Sequence, residues 1–165
     1  FFRFVLLGVL LVISFFAFTA TRAHAYFSTG QEATVLDDHA GLFQIDYTFG
    51  HESHAIQMPL YTQMSRVKDT IKLSYVILDE NDNEVSGKTA GIVLSGAPLG
   101  KQMYEVPKDT SKKFSLFVVF KPTEDTKGHT YRLQVTHLPF KFDGSQQLQL
   151  NPSELQYYTT KLISL

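Results

Sequence analysis

The chain has 165 residues, with 15 basic against 16 acidic side chains, a formal net charge of −1, and neither cysteine nor tryptophan. This balance argues against the broad basic field by which proteins hold nucleic acid. The missing cysteines exclude disulfide staples, a thiol nucleophile and a lipid anchor on cysteine, so the fold must rest on its core alone.

The first 25 residues are unlike the rest. Phe4 to Thr21 carries no charge and is dominated by Leu, Val, Phe and Ile, and Ala23-His24-Ala25 follows. An uncharged apolar run closed by small residues is the pattern of a secretory signal peptide, with cleavage after Ala25. The alternative is an uncleaved anchor, because residues 4–21 are just long enough to span a bilayer. On either reading the protein is exported to a periplasmic, extracellular or cell-surface location and meets the membrane only through residues 1–25. Without Arg3 and Arg22 the remainder has 13 basic and 16 acidic side chains, a net charge of −3. Its length suits one domain.

Tyr26 to Ala33 is polar and is predicted as a linker or an edge strand, with the domain proper at 34–165. Leu42 to Phe49 alternates Phe43, Ile45, Tyr47 and Phe49 with polar residues, which predicts an amphipathic strand. Gly50 to Ser53 breaks it. Ile56 to Thr62 contains Pro59, which predicts an edge strand. Ile71, Leu73, Tyr75 and Ile77 mark another inner strand. Asp79 to Glu84 is turn chemistry, and Val85 to Leu94 returns from it. Gln102 to Val106 is a short strand.

Lys113 to Phe142 is the most informative stretch. Phe114, Leu116, Val118 and Phe120 alternate with Ser115, Phe117, Val119 and Lys121. Both sets are largely apolar, so the strand is either central in its sheet or carries an interface. Pro122 ends it, and Gly128 marks a turn. Tyr131, Leu133, Val135 and His137 then define a half-buried strand. Beyond it, Asn151-Pro152-Ser153-Glu154 predicts one capped helical turn. Leu155 to Leu165 is predicted as a last strand whose edge is open to a partner. Deleting residues 161–165 is then expected to spare the fold. Short strands between frequent turns predict an all-β fold, a single antiparallel sandwich behind the N-terminal apolar helix.

The run Gly128-His-Thr-Tyr131-Arg-Leu-Gln-Val135 resembles the strand corner of immunoglobulin-like and fibronectin-type-III-like sandwiches. The resemblance implies that the Tyr131 hydroxyl bonds back to the main chain. The cysteine pair and buried tryptophan of antibody domains are absent.

For chemistry, His51, His54 and Met58 form the candidate metal site, since imidazole and thioether ligands suit copper or zinc. The plainer alternative is a polar loop followed by a core methionine. Asp79-x-Asn81-x-Asn83 begins like a calcium loop, but Glu84 and Ala90 stand where an EF-hand needs glycine and glutamate. No serine or acid is placed beside any histidine as a catalytic set requires, and the chain is not expected to be an enzyme or to hold a cofactor. Tyr61 and Tyr104 are candidates for a glycan or small-ligand site. Phe117, Val119, Tyr157 and Tyr158 are the candidate interface, with core packing as the alternative for each. These readings point to a non-catalytic extracytoplasmic module that binds an envelope protein, a surface polymer or its own copies. A metal carrier and a small-ligand binder are the alternatives.

Overall fold

The computed structural model describes residues 24–37, 39–142 and 147–165. The predicted apolar segment 4–21 therefore lies outside the described residues. The chain is all-β. In order, the strands are β1 (His24–Asp37), β2 (Ala40–His51), β3 (Ile56–Pro59), β4 (Tyr61–Thr62), β5 (Lys72–Asp79), β6 (Gly87–Ser95), β7 (Met103–Val106), β8 (Thr110–Pro122), β9 (Thr130–His137), β10 (Pro139–Phe142), β11 (Gln147–Gln149) and β12 (Ile163–Ser164). A single helical turn, α1 (Pro152–Leu155), precedes β12. Among the described residues no helix is long and apolar enough to cross a membrane.

The strands form three sheets, ordered β1-β2-β8-β6, β11-β10-β3-β7 and β12-β9-β5-β4. Every pairing is antiparallel except β4 with β5. The alternation read from the sequence decides which side chains meet. β2 and β8 run in continuous register from Gly41↔Phe120 to His51↔Thr110. Their inward residues Phe43, Ile45, Tyr47, Phe49, Phe114, Leu116, Val118 and Phe120 are all essentially without solvent exposure. They share one core with Leu73, Tyr75 and Ile77 of β5 and Tyr131, Leu133 and Val135 of β9. The Tyr47 and Phe114 rings stack at 5.4 Å, and Phe120 meets Tyr131 edge-on at 5.1 Å.

One open alternative is resolved, and three elements differ from expectation. The polar stretch 26–33, assigned above to a linker or an edge strand, is an edge strand continuous with 34–37 in β1. An edge position needs ladder bonds and one inward face, and Gln31 and Ala33 face Ile45 and Phe43 across the ladder. Pro59 does not put its strand at an edge, because β3 lies between β10 and β7. β10 reaches only Ile56 and Gln57, so Pro59 has a neighbour on one side alone and its missing N–H is tolerated.

The Asp79 turn forms as predicted. The Asp79 carboxylate accepts the N–H groups of Asn81 and Asn83 at 2.8 and 2.9 Å, and Asp82 adopts φ +65°. Yet β6 does not pair along β5. It crosses to β8 instead, because turn chemistry reverses a chain locally and leaves the choice of sheet to the core. The last segment is also more broken than a single strand. After α1, Tyr158 and Thr160 bond to β9 through Val135 and Leu133, and only Ile163–Ser164 forms regular ladder.

Candidate functional site

The outer face of the β1-β2-β8-β6 sheet is the candidate site. On β8 the odd-numbered side chains point to solvent, and on β6 the even-numbered ones do. Ladder register brings Ala90 beside Val119 and Ile92 beside Phe117, with Leu94 beside Ser115. β2 continues the rows with Leu42 beside Val119 and Gln44 beside Phe117. Ile92 is 54% exposed, Leu94 47% and Val119 39%, while Phe117 is half-buried. A sheet face that meets only water normally alternates to polar residues. Here an apolar stripe crosses three strands.

Charge frames the stripe. Lys88 and Lys121 sit directly opposite on β6 and β8 at one end, an arrangement that repels. At the other end Asp46 is buried and receives the Lys113 ammonium at 2.6 Å and the Gln44 amide at 2.9 Å. Burial alone would raise the Asp46 carboxyl pKa. The hydrogen bonds from Lys113, Ser115 and Gln44, with the Lys113 charge, outweigh it and hold the carboxyl below its ordinary value.

A groove runs along β6 where β4 packs beside it. One hollow of about 580 Å³ is lined by Leu60, Thr62, Met64, Tyr104 and residues 89–94. A second, of about 510 Å³, continues past Gln63, Tyr75, Glu84, Val85 and Gly87, and the two share Met64 and Thr89. The Thr62 hydroxyl reaches the Gly91 carbonyl at 3.3 Å, and the Tyr104 hydroxyl reaches the Val93 carbonyl at 3.1 Å. These contacts place Thr62 of β4 and Tyr104 directly against β6.

The predicted residues separate on this frame. Phe117 and Val119 lie together on the exposed stripe. Tyr157 is 54% exposed at the far end of the chain from them in the β9 region, and its neighbour Tyr158 is fully buried beside Tyr47. Burial pushes the Tyr158 phenol up to about 12, with Glu154 adding to the shift. Tyr104 is a core residue through its ring contact with Phe114, whereas Tyr61 is half-buried beside the groove.

His51 and His54 do come together, with ring centroids 5.1 Å apart, and both pack on Phe142. His51 Nδ1 accepts the backbone N–H groups of Ser53 and His54 at 3.0 and 3.2 Å, which closes the loop after β2. Met58 points into the core with no exposure. Among the described residues no three His, Asp or Glu side chains stand close enough to hold a metal ion. The Tyr131 hydroxyl lies buried beside the Thr126 side chain and the His129 main chain, the neighbourhood that the resemblance implies, with a geometry looser than a standard hydrogen bond.

Sequence reasoning missed Ile92, Leu94 and the groove. The signal was present in Ala90-Gly91-Ile92-Val93-Leu94, apolar on both faces like the β8 strand it joins. No family model, curated protein or solved structure matches the chain.

Proposed function

We propose that this chain is a non-catalytic, exported module of the cell envelope that binds a partner protein, or its own copies, through the outer face of the β1-β2-β8-β6 sheet. The observation that carries the reading is the apolar stripe of Ala90, Ile92, Leu94, Phe117 and Val119 on a solvent-facing sheet. Covering a side chain of this size is worth about 1.5–3 kcal/mol when it goes from exposed to buried. Five such residues on adjoining strands form the kind of contiguous patch that marks an interaction surface. Export rests on the uncharged run Phe4–Thr21 and the Ala23-His24-Ala25 motif. A single immunoglobulin-like sandwich is supported by the core that the β1-β2-β8-β6 and β12-β9-β5-β4 sheets share.

The test is a photo-crosslinking residue placed at Val119 or Ile92 in the exporting cell, with the exposed Lys108 as control. Adducts are expected from the first two positions and not from the third. Their absence at both Val119 and Ile92 overturns the reading. Adding Phe117→Glu to the Ile92 probe should remove the adduct while leaving the melting temperature within a few degrees, because the new charge lies on the solvent side.

A further inference from the structure

We infer that the partner of the outer β1-β2-β8-β6 face is a second copy of this chain, seated face to face about a two-fold axis that crosses the strands along the Phe117–Ile92 row. This rests on the interaction reading above and names the partner and its orientation. Ladder register sorts the outward side chains of β8 and β6 into rows: Lys121 with Lys88, Val119 with Ala90, Phe117 with Ile92, and Ser115 with Leu94. Bulk runs in opposite senses on the two strands. Along β6 it rises from Ala90 through Ile92 to Leu94, and over the same rows of β8 it ends on the small Ser115.

A two-fold axis makes the two surfaces meet reciprocally, each residue of a contacting pair finding the other on the second copy. An axis along the Phe117–Ile92 row reverses the strands and exchanges the rows on either side of it. Ala90 then lies opposite Leu94 of the second copy, and Val119 lies opposite Ser115. Phe117 and Ile92 meet their own copies at the centre. Bulk faces a gap on both sides of the axis, as close packing of two sheets requires. Twisted sheets packed face to face cross at about 30°, which keeps the central rows opposed.

Charge selects this axis over the alternative. An axis along the strands, between β8 and β6, would set Lys88 over Lys121 of the second copy and gather four lysines. Neither lysine has a carboxylate in ion-pair reach among the described residues, so that arrangement repels. The crossing axis sends the lysine pairs to opposite ends, about 26 Å apart at 3.3 Å per residue. There Lys121 comes beside the Lys113–Asp46 pair of the second copy, whose charges cancel. Glu32, next to Gln44 on the edge strand, is exposed and stays in the polar rim. The size also fits. Four strands about 4.8 Å apart and about 40 Å long offer up to about 750 Å², near the roughly 800 Å² per partner of a standard interface.

The test exploits the absence of cysteine and uses the protein as the exporting cell delivers it. Sedimentation from about 10 µM to about 1 mM should show a monomer–dimer equilibrium. With a short thiol-to-thiol crosslinker, Ile92→Cys should give dimers and Lys88→Cys should not. A mixture of Ala90→Cys and Leu94→Cys chains should crosslink more than either alone. Ala90→Leu overfills the site opposite Leu94 and should raise the dimer Kd at least about tenfold. Adding Leu94→Ala reopens that space on the other copy and should bring the Kd back to within about threefold. Both side chains lie on the solvent side, so the melting temperature of the dilute chain should stay within a few degrees. A monomer at every concentration overturns the proposal. So does a Lys88→Cys dimer stronger than that of Ile92→Cys, or a double variant no better than Ala90→Leu. Photo-adducts at Val119 or Ile92 with a different protein, from a chain that stays monomeric, would sink self-pairing and leave the face reading standing. Neither adducts nor dimers would sink both.

Discussion

Truncation after Thr160 removes the last five residues, and the structure assigns it a large cost. Gly128 donates to the Leu165 carbonyl at 2.9 Å, Leu165 donates to the His129 carbonyl at 3.3 Å, and Ile163 and Ser164 pair with Tyr131 and Thr130. Ile163 and Leu165 are partly buried against the core. Half-burial of two aliphatic side chains contributes about 2–3 kcal/mol. Two or three net hydrogen bonds add about 1 kcal/mol each. The loss of about 4–6 kcal/mol compares with the 5–15 kcal/mol that holds a domain folded. At a urea slope near 2 kcal/mol per molar, the unfolding midpoint should fall by about 2–3 M. The chain has no tryptophan, so circular dichroism and tyrosine fluorescence are the probes. A midpoint shift below about 0.5 M would refute the reasoning and restore the sequence-based view that these residues are an open edge. Gly41→Ala is a graded companion. Its new methyl would sit 2.8 Å from Ile163 Cδ1 and 3.1 Å from Leu165 Cδ1, ends of flexible side chains that can move, so its cost should stay under about 1 kcal/mol.

Asp46→Ala should destabilise by about 1 kcal/mol at neutral pH, read by urea titration, because Lys113 is largely exposed and its pairing is screened. In the parent protein the Asp46 contribution is fully present above the ordinary carboxyl value and lost as pH falls through the lowered folded one; a wild-type and variant gap that stays constant into acid would contradict this. His129 bonds Glu80 at 2.8 Å, and that hydrogen bond, then the Glu80 charge, raises its pKa. The pair should stabilise the fold below the ordinary histidine value and fade as pH rises through the raised one, and Glu80→Gln should lower the His129 midpoint in an NMR titration. Copper or zinc should leave the melting temperature unchanged, because Ser53 and His54 already occupy His51 Nδ1; a saturable rise lost in His51→Ala would overturn that view.

Much of the fold was readable because burial follows period two. Phe43 to Phe49, Leu73 to Ile77, Phe114 to Phe120 and Tyr131 to Val135 all face the core as their alternation requires. Partner choice was not readable in the same way. β6 leaves β5 at the Asp79 turn and joins β8, and no local property of Val85 to Leu94 distinguishes the two. β1 was legible only as a linker or an edge strand, since an edge strand is held by its neighbour's pattern more than by its own. Tyr157 and Tyr158 were paired in sequence as one candidate, yet α1 and the irregular segment after it fix Tyr158 against Tyr47 and leave Tyr157 outside. For the site, Phe117 and Val119 stood out as a second apolar face on a single strand. Whether that face was covered depended on the neighbours, and β6 supplied Ile92 and Leu94 in place of a covering layer.

The apolar stripe ends against a pair of like charges, and that juxtaposition has a physical consequence. Lys88 and Lys121 stand opposite one another at one end of this surface, with no carboxylate in ion-pair reach among the described residues. Like charges placed so cost stability in the isolated chain. A partner of the stripe that places a carboxylate beside these lysines would relieve that repulsion, and its docking direction would be fixed by which end of β6 the lysines occupy.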